Sequence, residues 1–180
     1  MITEVLASAN IPINAIDAIV VCAGPGSYTG LRIGLATAKG LCYAMDKPLL
    51  LDNRLTLLAH QNYVEQKGTH TNYIPLLIAR DKEYFISIYD ENFDCILTPR
   101  HIAEDELPAL VAGMDKVQVI TNAINDKLIA LNIKNLHVTE NIEINLSLWV
   151  SYAFEQYKCN NTVNLSTAEP FYLKQVYTHK

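Results

Sequence analysis

Gly24, Gly26 and Gly30 crowd together with Pro25 in the stretch AGPGSYTGLRIGLATAKGL, which runs from Ala23 to Leu41. Residues of these types can hold an anion. Glycines let a ligand approach the backbone, and a helix opening just after them presents free N–H groups. Gly24, Gly26, Ser27, Thr29 and Gly30 are therefore the candidates for a phosphate-binding loop. The spacing, G-x-G-x-x-x-G, is not the dinucleotide fingerprint. With no Gly-Lys-Ser/Thr after it, it is not a Walker A loop either. Ser27 is not the centre of a G-x-S-x-G elbow. The competing reading is packing. Gly30, Gly34 and Ala38 recur at every fourth position and would give a helix a flat face able to lie close against a sheet or another helix. Interior glycines cost a helix about 1 kcal/mol each relative to alanine, and close approach is a reason to carry that cost.

Arg32, Leu35, Lys39 and Tyr43 fall together on another side of the same helix, and the rest of its circumference is apolar or small. A helix apolar nearly all round is covered on more than one side. One side meets the sheet and the other can meet a second polypeptide. Leu31, Arg32, Leu35, Lys39 and Tyr43 are the candidate interface residues.

Other chemistry-bearing residues read more plainly. Asp81, Lys82 and Glu83 sit where a solvated hairpin turn is expected. His70, His101, His137 and His179 lie far apart, beside no acid–nucleophile arrangement, and read as surface residues. Cys22, Cys42, Cys95 and Cys159 form no C-x-x-C pair and match no zinc spacing, so free thiols in a reducing cytoplasm are expected. No catalytic residue and no metal ligand set is assigned. Trp149 and Tyr152 lie in a periodic apolar stripe and are expected to make core or interlobe contacts, while Tyr172 is placed to anchor the tail.

The elements that must position these residues follow from periodicity. A short helix is expected over Met1–Ala9, a strand buried on both faces over Ile16–Ala23, and a helix over Gly30–Met45 capped by Ser27 or Thr29. A strand over Leu49–Leu51 completes a βαβ unit, and Leu55–Gln66 is helical. Tyr73–Ala79, Tyr84–Tyr89 and Cys95–Thr98 read as an antiparallel meander. Leu107–Ala112, Ile124–Leu131 and Leu146–Lys158 are expected helices, and Val117–Thr121 and Leu136–Val138 expected strands. The change of strand type puts a lobe boundary near Gly68–Asn72.

The 180 residues are half hydrophobic, carry a net charge of −5 and contain no apolar run long enough to span a bilayer. The scattered basic residues argue against autonomous nucleic-acid binding.

GPGSYTGLRIGLATAKGL (Gly24–Leu41), DKPLL (Asp46–Leu50), IARDKEYFISIYD (Ile78–Asp90) and AEPFYLK (Ala168–Lys174) together resemble the TsaB (YeaZ) family of tRNA threonylcarbamoyladenosine biosynthesis proteins, in order along nearly the whole chain. The resemblance implies an α/β fold of the ribonuclease-H-like, actin-like ATPase (ASKHA) type with two lobes. Residues 1–70 would form a first lobe lacking its opening strands, since the chain is N-terminally short against that family. Residues 71–180 would form a second α/β lobe with the meander and the C-terminal tail. TsaD, the family's catalytic counterpart, carries an H-x-x-x-H metal motif after the second strand. Here Asn53 and Leu57 stand in those places and His60 stands alone. The implied role is a cytoplasmic, non-catalytic scaffold binding a TsaD-like catalytic subunit, with a TsaE-like ATPase joining them. Self-association through the same surface would compete with the partner. tRNA would be met only indirectly, and no resident cofactor is expected, ATP being held only in complex with partners. Two alternatives from other classes are a nucleotide-binding enzyme of the sugar-kinase type and a glycoprotease-like peptidase.

Overall fold

The structure, a computed structural model, describes residues 2–122, 128, 131 and 133–173. The first part contains helix α1 (Ile2–Ser8), strand β1 (Ile19–Cys22), helix α2 (Tyr28–Met45), strand β2 (Leu49–Asp52) and helix α3 (Arg54–Glu65). β1 and β2 pair in parallel, Ile19 beside Leu49 and Cys22 beside Asp52, with α2 as the crossover. Ser27 caps α2 by accepting from the Gly30 N–H. Asp46, in the left-handed region, ends it. Asn53 caps α3, its side chain accepting from the Leu55 N–H. These are the expected elements, within a few residues of their expected ends. One expectation is corrected: β1 is only half-buried along its length and not covered on both faces.

The second sheet holds strands β3 (Asn72–Arg80), β4 (Glu83–Asp90), β5 (Cys95–Ala103), β6 (Val117–Thr121) and β7 (His137–Thr139). Their order across the sheet is β5-β4-β3-β6-β7. The first three pair antiparallel, as the meander predicts, and β6 and β7 add in parallel. Asp90 closes the β4–β5 turn, its carboxylate accepting from the N–H groups of Asn92 and Asp94. Helix α4 (Leu107–Leu110) follows β5. The expected helix over Ile124–Leu131 lies largely outside the described residues, as do Lys174 and His179. The architecture is α/β with two sheets, as expected.

The lobes are interlaced. α3 belongs by sequence to the first part, yet Leu55 and Leu58 pack with Leu77 and Ile120 of the second sheet. Conversely, the last helix, α5 (Leu146–Lys158), returns to β2 and α3. Val163 beyond it bridges to Leu49. Gln61 of α3 clamps the approach to α5, donating to the Glu143 carbonyl and accepting from the Asn145 N–H, both at 3.0 Å. Strands β3 to β7 thus build the second sheet, while α5 returns to the first, and Leu173 beyond it packs with Leu77 and Ile120 of the second.

Candidate functional site

The glycine loop turns between β1 and α2 at the mouth of a cleft of about 210 Å³, which Pro25, Gly26, Arg54, Ile78 and Asn122 help to line. Gly24 has a φ of +119°, and a Cβ there would stand 3.0 Å from Leu31. Glycine is therefore required at this position. The loop's polar groups are largely used within the chain. The Gly24 carbonyl accepts from the Arg54 N–H at 2.7 Å and the Ala23 carbonyl from the Phe171 N–H at 2.8 Å. The Gly30 N–H is taken by Ser27. Thr29 lies exposed in the first turn of α2. Arg54 points its guanidinium into the cleft region, donating to the Ile142 carbonyl at 3.3 Å.

The expected flat face of α2 does meet the sheet. Ala38 is buried, and a Cβ on Gly34 would touch Val21 at 3.8 Å. That distance is ordinary contact, so alanine would fit there too. Gly40 faces open space.

The five candidate interface residues do not share one outward face. Leu35 is 4% exposed and packs with Cys42 and Leu49 in the core. It is therefore unavailable to a partner, and this corrects its placement. Leu31 covers Gly24 and Gly26. Arg32 is exposed but engaged: its Nε donates to the Tyr172 hydroxyl at 2.9 Å, and its guanidinium sits 4.1 Å from the Tyr28 ring centre. Lys39 donates to the Ala168 carbonyl at 3.2 Å. These two cations strap the C-terminal tail onto α2, and Tyr172 anchors it as its position predicts. Tyr43 alone of the five stands free, at 84% exposed.

What the sequence reading missed is the neighbouring stripe. Ile33, Ala36, Thr37, Gly40, Tyr43 and Ala44 are all exposed, and Ile33 is 63% so. Their spacing is that of one helical face. Thr37 turns its hydroxyl back to the Ile33 carbonyl, which leaves this face without a charge and with little polarity. The signal was legible as helical periodicity. It was masked because Arg32 and Lys39 marked the side read as the partner face.

The positions where the resemblance implies a metal motif hold residues with structural roles. Asn53 is a cap and Leu57 is buried. His60 lies between the rings of Tyr152 and Phe93, at 4.8 and 5.3 Å, and burial pulls its pKa below the ordinary imidazole value. Among the described residues no group of three or more His, Cys, Asp or Glu side chains is placed to hold a metal. His70 is buried against Gln66 at 2.7 Å, unlike the surface residue expected, while His101 pairs with Glu83 at 3.1 Å. Trp149 and Tyr152 contact the first part of the chain, Trp149 reaching Asp52 of β2 and Tyr152 lying against His60 of α3. The four cysteines are free, two of them exposed. No helix among the described residues is long and apolar enough to cross a membrane.

A parallel βαβ unit with a glycine turn before its crossover helix, joined to a mixed five-stranded sheet, defines an α/β chain of two sheets. The chain belongs to the family described as "TsaD: tRNA N6-adenosine threonylcarbamoyltransferase", whose model matches residues 1–153. Among curated proteins it is 26% identical over 195 aligned positions to the tRNA threonylcarbamoyladenosine biosynthesis protein TsaB of Haemophilus influenzae, covering all of this chain and 79% of that protein. It is 28% identical to the tRNA N6-adenosine threonylcarbamoyltransferase of Clostridium novyi, covering 82% of this chain and 46% of that enzyme. The chain therefore spans less than half of that transferase. Two Pseudomonas aeruginosa structures share the fold. One is described as an uncharacterized protein with similarity to peptidase YEAZ, with a TM-score of 0.77 at 21% identity over 97% of this chain and 81% of that one. The other is YeaZ, with a TM-score of 0.75 at 21% identity over 94% and 80%. The resemblance to TsaB and YeaZ read in the sequence thus holds in both sequence and fold.

Proposed function

We propose that this chain serves tRNA threonylcarbamoyladenosine modification as a non-catalytic subunit, holding a TsaD-like catalytic subunit in its active shape. The exposed stripe of α2 carries the reading. Ile33, Ala36, Thr37, Gly40, Tyr43 and Ala44 present an uncharged helical face with a small residue at its centre. At Gly40 a Cβ would meet nothing within 4 Å, so a partner backbone could approach closely. An apolar face of this kind on a surface helix is what a stable partner covers. The loss of the metal motif at Asn53 and Leu57 fits a subunit that leaves the chemistry to its companion. A second copy would compete for the face. A TsaE-like ATPase would join the pair, tRNA would be met through the assembly, and ATP would be held only there.

The test is co-purification with the TsaD-like protein of the same organism, read by light scattering after gel filtration. The double change Ile33→Asp and Tyr43→Ala should abolish the complex while the isolated chain keeps its melting temperature. A complex that survives this change would overturn the assignment of the face. Titration of the isolated chain with ATP and magnesium separates the sugar-kinase alternative, because saturable binding with turnover would favour an enzyme using the cleft between Gly26 and Arg54.

A further inference from the structure

β2 carries a carboxylate into the interior. Asp52 is only 6% exposed, and its Oδ2 accepts from the Trp149 indole N–H at 2.6 Å. Among the described residues no lysine, arginine or histidine pairs with it. Arg54 is two residues away but directs its guanidinium to the Ile142 carbonyl. Burial pushes the Asp52 carboxyl above the usual carboxylate range, and the indole bond offsets this only in part. A buried charge without a counter-charge costs stability. An asparagine could accept the same indole bond without that cost, so joining β2 to α5 does not itself require a carboxylate.

The group is not sealed in. A cavity of about 260 Å³ opens beside it, lined among others by Thr56, Tyr152, Gln156, Asn161 and Phe171. Tyr152 stays a neutral phenol, its pKa pushed up to about 12 chiefly by burial and next by the Asp52 charge. The Gln156 amide oxygen accepts from Asn161 at 2.7 Å, and the Thr56 hydroxyl lies 2.7 Å from that of Tyr89. The walls therefore offer two aromatic rings and side-chain oxygens, with the one negative charge among the lining residues at Asp52. That complements a cationic N–H donor on a short apolar stem, by charge-assisted hydrogen bonding and by ring–cation attraction.

We infer that the Asp52 cavity is a binding subsite for a cationic nitrogen, a primary ammonium or guanidinium group. The subsite does not depend on the scaffold reading, since none of its lining residues belongs to α2. The same chemistry could come from a free amine or from a basic side chain of a bound protein.

Trp149 is the only tryptophan of the chain and touches the carboxylate, so its emission reports the site. The 180-residue chain is titrated at neutral pH and constant ionic strength with n-butylammonium chloride, n-butanol and sodium butyrate. Butylammonium should give a saturable emission change that butanol and butyrate do not. Asp52→Asn, checked for fold by circular dichroism and melting, should bind at least about tenfold more weakly, the scale of a hydrogen bond to a charged group. An equal response to butanol, no saturable response to butylammonium, or undiminished binding in Asp52→Asn would each overturn the inference. If Asp52→Asn does not fold, the comparison of butylammonium with butanol on the unaltered chain decides alone. Tighter binding of N-acetyl-lysine methylamide than of butylammonium would support the site and identify a protein side chain as its source. The reverse order would support it with a free amine as the source.

Discussion

At the scale of single residues, two glycines of one stretch stand in opposite surroundings. Gly24 is demanded by its backbone and by Leu31 at 3.0 Å from where a Cβ would be. Gly24→Ala should lower stability by about 1–3 kcal/mol in denaturant unfolding. Gly40 has open space around it, so Gly40→Ala should stabilise the isolated chain by up to about 1 kcal/mol. If α2 presents the partner face, the same change should weaken the complex, and opposite signs in the two measurements would distinguish interface from fold. Asp52 gives a pH prediction. Its folded pKa is raised, so its favourable contribution is present at acid pH and is lost as pH rises through the folded value. Asp52→Asn should therefore melt higher than the unaltered chain at neutral pH, with the gap closing on acidification. His60 works in the opposite sense. Its pKa is lowered, so it favours the native state above the ordinary imidazole range and opposes it below. None of these distinctions was legible in the sequence, because a glycine's neighbours and a carboxylate's depth are tertiary facts.

Among the elements, α2 shows what periodicity can and cannot decide. The alternation of apolar and turn residues placed β2, β6 and α5 almost to the residue, because their signals are local. The same pattern located the helix after the glycine turn but not which way it rolled. Arg32 and Lys39 suggested a partner, whereas the structure spends them on the Tyr172 hydroxyl and the Ala168 carbonyl. That contact spans well over a hundred residues of sequence, and no window reads it. Leu35→Asp should accordingly act as a core lesion, costing about 3 kcal/mol or more and reducing soluble yield whether or not a partner is present. Arg32→Ala should leave the core intact and loosen the tail, seen as faster amide exchange at Ala168–Leu173 with little change in melting temperature.

For the whole molecule, the exchange of α3 and α5 across the lobes matters more than the boundary between the sheets. The composition change near Gly68 marks where strand type switches, and it was legible. That α3 packs under the second sheet and α5 under the first was not, since both are amphipathic helices that would suit either. Residues 1–70 and 71–180 expressed apart should therefore be unfolded or aggregated, and should recover secondary structure by circular dichroism only when mixed. Two independently folded halves would show that the interlacing is dispensable.

The order β5-β4-β3-β6-β7 also bears on how the chain is made. β3, β4 and β5 join neighbours in sequence and can zip together as soon as they leave the ribosome, while β6 is still being synthesised. Until Val117–Thr121 arrives, the central strand shows a bare apolar edge, and the nascent protein is most exposed to mispairing in that interval.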